Sequence, residues 1–172
     1  MSALVDPVLP DRASLLADLN DSNRRMLALV ETLLPEQREV PFHPGINPPV
    51  WEMGHAAFFY EFFLLRDLYG VDPIMPGYDE VWYSFEIPHK ERWRPGVVPG
   101  YDETRAYYDR VVGEVRQRLE SPDDLDLNEV YLIQYVIAHV SMHVESLIWC
   151  RQTLGYPVPS FAGAPGEVER SG

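Results

Sequence analysis

The chain has 172 residues, 46% of them hydrophobic and 12% aromatic, which suits one globular domain with a core and excludes a disordered chain. Its 14 basic and 27 acidic residues give a net charge of −13, which argues against non-specific binding to nucleic acid or to an anionic membrane surface. Cys150 is the only cysteine, so no intrachain disulfide can form. The first residues lack the pattern of a secretion signal, and we expect a soluble, cytoplasmic protein.

Two segments in the first half of the chain have the spacing of amphipathic helices. Asp11 can cap the first, whose leucine-rich stripe reaches Leu34 before Pro35 closes it. The second begins after Pro48 and Pro49, since proline is tolerated in a first helical turn, and ends near Tyr69.

Two further helices follow in the second half. One begins near Tyr101 and carries an apolar stripe as far as Leu119, and the next opens around 126–129 and runs to Leu154. About thirty residues, 71–100, separate the second helix from the third, and a connection of that length is typical of a crossover or a functional loop. We therefore predict an all-α fold, a four-helix bundle with a long crossover between helices 2 and 3. The bundle is expected to span 1–155, with a linker-like or disordered tail at 156–172.

Three histidines occupy stripe positions on two of these helices. His139 and His143 are four residues apart, so they project side by side from one helix face, and His55 lies on the stripe of the second helix. A single histidine on an apolar face is more often a core residue, but two neighbouring imidazoles buried together need a shared partner. We therefore predict a metal site. Three imidazoles leave positions open for other ligands, as in catalytic sites, and they suit zinc, iron, copper and nickel alike.

Two acidic residues lie close to these histidines in sequence. Glu52 precedes His55 by about one turn and can serve as a fourth ligand or as a hydrogen-bond acceptor behind a ligand. Glu145 is turned about 200° away from His143 on the helix, so we expect it to contact a neighbouring helix or solvent.

Two motifs and the loop between them resemble a known family. NPPVWEMGH, HVSMHVE and the loop WYSFEIPHKERW followed by RPGVVPGYDETRAYYDRV look like the N-terminal domain of ergothioneine-type sulfoxide synthases, over nearly the whole chain. The resemblance implies a DinB-like four-helix bundle in which His55, His139 and His143 hold a non-haem Fe(II). In that family the iron binds dioxygen and couples a thiol to C2 of a trimethylated histidine, forming a sulfoxide.

The chain also departs from that family. There the bundle is followed by a second domain, similar to formylglycine-generating enzymes, and the substrate lies between the two. Members often have glutamine before the second histidine of the last helix, where this chain has Met142. The resemblance places Arg92 and Arg94 where basic residues hold the carboxylates of the thiol substrate, although ordinary surface charges would look the same. His89 can line the mouth of the site, whereas His43 and Cys150 are expected to be a loop residue and a core residue.

Three functional hypotheses remain open at this point. The first is a domain with oxygen-dependent C–S chemistry, incomplete alone and completed by a partner protein that supplies the second domain. The second is a stand-alone, zinc- or nickel-dependent DinB-like thiol transferase. The third is a metal-binding module without turnover. A small-molecule thiol is the expected substrate of the first two, and a homodimer is compatible with all three. The residues themselves do not decide among the reactions, so whether the chain is an enzyme stays open, with a metal-dependent oxidoreductase domain as the working hypothesis.

Overall fold

A computed structural model describes residues 9–94, 96–157 and 159. Four long helical segments dominate: α1 (Arg12–Glu31), α3 (Pro49–Tyr60, continued by a π-helix over Glu61–Leu68), α5 (Tyr101–Glu120) and α6 (Leu127–Thr153). The short elements are α2 (Pro35–Arg38), α4 (Asp79–Trp82) and a 3₁₀ turn (His89–Trp93). No strand occurs among the described residues. The predicted all-α bundle with a long crossover is confirmed.

Polar residues fix where the long helices begin. The Asp11 side chain accepts a hydrogen bond from the Ser14 N–H at 2.8 Å and caps α1. At the start of α6, Asp126 accepts from the Glu129 N–H while the Glu129 carboxylate accepts from the Asp126 N–H, each at 2.8 Å. This reciprocal capping box explains why the longest helix starts so sharply after the loop.

The four long helices close into a ring. α1 packs mainly on α6 and also on α5, while α3 packs mainly on α5 and also on α6. Their inner faces share one apolar core, to which each helix contributes fully buried side chains such as Leu15, Met53, Val111 and Val140. Because α3 and α6 are neighbours, side chains from these two helices can meet at one end of the core.

The crossover is held against the bundle by buried and partly buried polar contacts. Glu61, at the start of the π-helix and 1% exposed, accepts hydrogen bonds from the Ile74 N–H at 2.8 Å and from the Tyr107 hydroxyl. Arg66 pairs with Asp79 at 2.9 Å. The crossover therefore packs as a fixed layer against α3, and this layer reaches the histidine site.

The expected boundary of the first stripe is corrected at one position. α1 ends at Glu31, and Leu34 is 55% exposed because it caps α2 instead of continuing the stripe. Most of the predicted tail, 156–172, lies outside the described residues. No helix within the described part of the chain has the length and apolarity needed to cross a membrane.

Candidate metal centre

Helices α3 and α6 bring the three predicted histidines together. The ring centroids of His55, His139 and His143 lie 4.5–5.2 Å from one another. One ring nitrogen from each residue falls within 4.8 Å of the other two, and the Nε2 atoms of His139 and His143 are 3.2 Å apart. His55 and His143 are buried, and His139 is partly buried.

Hydrogen bonds behind two of the rings determine which nitrogen faces the others. The carbonyl of Trp82 can only accept, so His55 donates its Nδ1–H to it, at 2.6 Å. His143 donates its Nδ1–H to the Glu52 carboxylate. In both rings the proton is on Nδ1, so the lone pair is on Nε2, which is the form that binds a metal.

Aromatic rings fix the orientation of the other faces. Trp51 stacks on His55 with centroids 4.7 Å apart and planes 10° apart, and Phe59 stacks on His139 with planes 7° apart. These stacked rings hold the imidazole planes of His55 and His139 in place.

Burial keeps two of the histidines neutral. Desolvation, reinforced by the neighbouring His143, lowers the pKa of His55 to about 4 and that of His139 to about 2. Each of these rings is therefore neutral near neutral pH and keeps one unprotonated nitrogen, so a cation does not have to displace a proton from it.

Glu52 is a carboxylate in the core, 0% exposed. Burial alone would raise its pKa, but hydrogen bonds from His143, Ser146 and Asn47 outweigh that effect and hold the pKa below its ordinary value. Ser146 Oγ–H and Asn47 Nδ2–H donate to it at 2.6 and 2.8 Å. Of the two roles predicted for Glu52, the structure shows the hydrogen-bond acceptor behind His143, one of the predicted ligands.

These residues fit a divalent metal ion. Imidazole nitrogens bind zinc at about 2.0–2.1 Å, so ligands that share an ion stand about 3–3.5 Å apart, close to the separation between His139 and His143. The buried negative charge of Glu52 also lies directly behind one of the three rings, where it complements a cation. Three histidines close together can hold a metal, and the donor set alone does not select which one.

The three rings form the floor of a cleft of about 280 Å³. Trp51, Phe59, Ser84 and Arg92 contribute to its walls. Its rim carries apolar side chains that remain in solvent, with Phe85 81%, Met142 53% and Tyr135 43% exposed. The three histidines thus line a cleft that is large enough for a small molecule.

The two predicted substrate-binding arginines occupy different surroundings. The Arg92 guanidinium lies 4.0 Å from the Trp51 ring centre, donates to Asn47 Oδ1 at 2.7 Å and lines the histidine cleft. Arg94 pairs with Glu91 at 3.5 Å, has a side chain 67% exposed, and lines an adjacent pocket that Arg92 also borders. Their role in substrate binding stays a prediction, for which Arg92 is the better placed of the two.

The remaining candidates lie outside the cleft. His89 donates from Nε2 to the Ile46 carbonyl at 2.8 Å, and His43 is an exposed loop residue that accepts from the Gly45 N–H. Glu145 is exposed on α6, which agrees with the solvent-facing alternative predicted for it. Cys150 is 1% exposed, and burial raises the pKa of its thiol to about 11, so it is a core residue.

Several contacts behind the histidines were not predicted from sequence. The acceptor for His55 is a backbone carbonyl, which carries no residue-type signal, and it lies 27 positions away in the crossover. Ser146 and Asn47 are common residue types whose role depends on a buried carboxylate between them. Met142 gives no orienting contact; His143 is oriented by Glu52, and the buried Nδ1 of His139 has no partner among the described residues.

The fold and the site together define a four-helix bundle with a cluster of three histidines, between two of its helices, that could hold a metal ion. The model of the DinB superfamily matches residues 18–147, three quarters of the chain and all three histidines, so the chain belongs to the DinB superfamily. None of the curated proteins compared with the chain matches it.

Proposed function

We propose that this protein is a metal-dependent domain that holds Fe(II) on His55, His139 and His143 and binds a small, carboxylate-bearing thiol in the adjoining cleft. The observation that carries this proposal is the convergence of one ring nitrogen from each of the three histidines, which line a cleft that Arg92 also lines. Completed by a partner domain, it would carry out oxygen-dependent C–S bond formation of the sulfoxide-synthase type.

Each residue of the site has a role in this proposal. The three imidazoles would hold the metal, Glu52 keeps His143 in its Nδ1–H form, and Trp51 packs the His55 ring. A guanidinium matches a carboxylate with two parallel hydrogen bonds, so Arg92 would bind the acid group of the thiol. Bound iron would supply one-electron chemistry with dioxygen.

The exposed rim supports the partner domain in this proposal. Phe85, Tyr135 and Met142 are large apolar side chains left in solvent around the mouth of the cleft. Apolar groups clustered around a site are typical of a surface that another protein or domain covers.

A second candidate is a stand-alone thiol transferase that uses zinc or nickel. The observation that favours it is that the described chain already has the complete histidine set and an open cleft, with Cys150 buried too deeply to be the reacting thiol. A divalent metal lowers the pKa of a bound thiol, which would supply the thiolate.

The experiment compares cysteine with cysteamine, which has the same thiol and amine but lacks the carboxylate. Binding to Co(II)-loaded protein is followed by the thiolate-to-cobalt absorption, and oxygen uptake is measured with Fe(II)-loaded protein. The proposal expects cysteine to bind at least about tenfold more tightly, as one charge-assisted hydrogen bond provides. Thiol-dependent oxygen uptake with iron as the retained metal favours the oxygen-dependent reaction, and a bound thiol with zinc or nickel as the retained metal favours the transferase. An occupied metal that binds neither thiol leaves a metal-binding module.

A further inference from the structure

Gly54 precedes His55 directly and lies against the indole of Trp82. A Cβ atom built at Gly54 would fall 2.5–2.7 Å from the Cη2, Cζ2 and Cζ3 atoms of that ring. This is closer than any side chain can approach without displacing its neighbour. Trp82 is 0% exposed, so its ring is surrounded by packed neighbours and cannot shift away easily.

Trp82, the last residue of α4, also contacts the histidine site through its backbone. The Trp82 carbonyl accepts the Nδ1–H of His55 at 2.6 Å, and the preceding carbonyl, that of Val81, accepts the Nε1–H of Trp51 at 3.0 Å. Trp51 and His55 are one turn apart on α3, with Gly54 between them. Two consecutive carbonyls of the crossover thus contact two stacked rings of α3.

We infer that Gly54 is a positioning residue of the metal centre, because the close approach that it permits places the Trp82 carbonyl behind His55. That carbonyl keeps the His55 proton on Nδ1 and holds the ring with Nε2 toward the other two histidines. The inference rests on the proposed metal-binding function. It adds that the packing of α4 against Gly54 sets the metal affinity.

A reciprocal effect follows from thermodynamic linkage. If the packed position of α4 against α3 favours metal binding, bound metal favours that packed position by the same factor. Metal should therefore slow hydrogen exchange of the backbone amides of α4, although no residue of α4 is itself a metal ligand.

The test uses Gly54→Ala, with Gly113→Ala as the matched control. Gly113 also lies in a helix, and a Cβ atom there meets nothing within 4 Å. We expect Gly54→Ala to lower the affinity for Zn(II) about 10–100-fold, the usual cost of disturbing a group behind a ligand. The visible spectrum of the Co(II) form should change, while Gly113→Ala keeps both the affinity and the spectrum.

A second substitution separates this positioning from a general loss of stability. Phenylalanine lacks the outer ring edge that a Cβ at position 54 would meet, while its backbone carbonyl is unchanged. Trp82→Phe in the Gly54→Ala background should therefore recover most of the lost affinity and the original Co(II) spectrum. Failure of this rescue would overturn the inference.

The remaining outcomes distinguish failure of this inference from failure of the proposed metal-binding function. If the unsubstituted protein binds Zn(II) and Gly54→Ala binds it equally well with the same Co(II) spectrum, the inference is wrong and the metal site stands. If the unsubstituted protein binds no metal, both are wrong. Should Gly54→Ala fail to fold, exchange of the α4 amides in the unsubstituted protein decides: slowing by Zn(II) supports the inference, and unchanged exchange overturns it.

Discussion

The carboxylate of Glu52 accepts the Nδ1–H of His143 inside the core, between helices α3 and α6. The contact joins residues 91 positions apart and sets the form of a predicted metal ligand. Glu52 also accepts from Asn47, whose carbonyl oxygen accepts in turn from Arg92. A line of hydrogen bonds therefore connects an arginine of the cleft to an imidazole of the metal centre.

Replacing Glu52 by glutamine tests this arrangement. The amide is nearly the same size but lacks the negative charge, so it orients His143 less firmly and no longer complements a cation. We expect the affinity for Zn(II) to fall about 10–100-fold, measured by competition with a chromophoric chelator. Glu145→Gln, an exposed carboxylate on α6, is the matched control and should leave the affinity unchanged. Equal affinities in the two variants would show that Glu52 has no influence on the metal.

Arg92 and Arg94 provide a matched pair for the substrate prediction. Arg92→Gln should remove most of the preference for cysteine over cysteamine, because the guanidinium that faces the histidine cleft is lost. Arg94→Gln should have a smaller effect, since its side chain is exposed and paired with Glu91. Titration of each Co(II)-loaded variant with both thiols measures the preference. A larger loss in Arg94→Gln than in Arg92→Gln would place the carboxylate in the adjacent pocket.

Cys150 should be unreactive in the folded protein. Burial and the nearby Glu52 raise the pKa of its thiol to about 11, so at pH 8 the thiolate fraction is at least about 100-fold below that of a free cysteine. Alkylation by iodoacetamide, followed by intact mass, should be correspondingly slow and become fast in urea. Rapid labelling of the native protein would contradict the buried position of this thiol.

Arg151 should contribute to stability independently of the metal centre. It is 3% exposed and donates hydrogen bonds to the carbonyls of Leu29 and Pro157 and to the Thr32 hydroxyl. Arg151→Met leaves a carbonyl at the end of α1 buried without a donor, and we expect a loss of about 2–4 kcal/mol in the free energy of unfolding. Urea unfolding measures it, with Arg110→Met, at an exposed position of α5, as the control expected to change little.

Long periodic segments made the bundle predictable. The four long helices begin within a residue or two of the predicted positions because Asp11, Pro49 and Asp126 are strong start signals. The short helix α4 and the 3₁₀ turn are four and five residues long. Elements of that length show no full hydrophobic period, so periodicity could not reveal them inside the crossover.

The three histidines of the site could be predicted from helix geometry, whereas the groups around them could not. His139 and His143 are neighbours by helix geometry alone, and a stripe position placed His55 toward them. The Trp82 carbonyl could not be found in this way, because its role depends on how the crossover packs against Gly54. Local periodicity carries the first kind of information, and only tertiary packing carries the second.

The central claim is that His55, His139 and His143 hold a divalent metal, and elemental analysis tests it most directly. Protein purified without oxygen is compared with the double variant His55→Ala, His139→Ala, with His43→Ala as a control for loss of an exposed histidine. We predict one equivalent of iron in the unsubstituted protein and in His43→Ala, and none in the double variant, which should keep its helical circular dichroism. Zinc or nickel in the same pattern would keep the site and favour thiol transfer, whereas absence of metal from the unsubstituted protein, or equal metal in the double variant, would contradict the account.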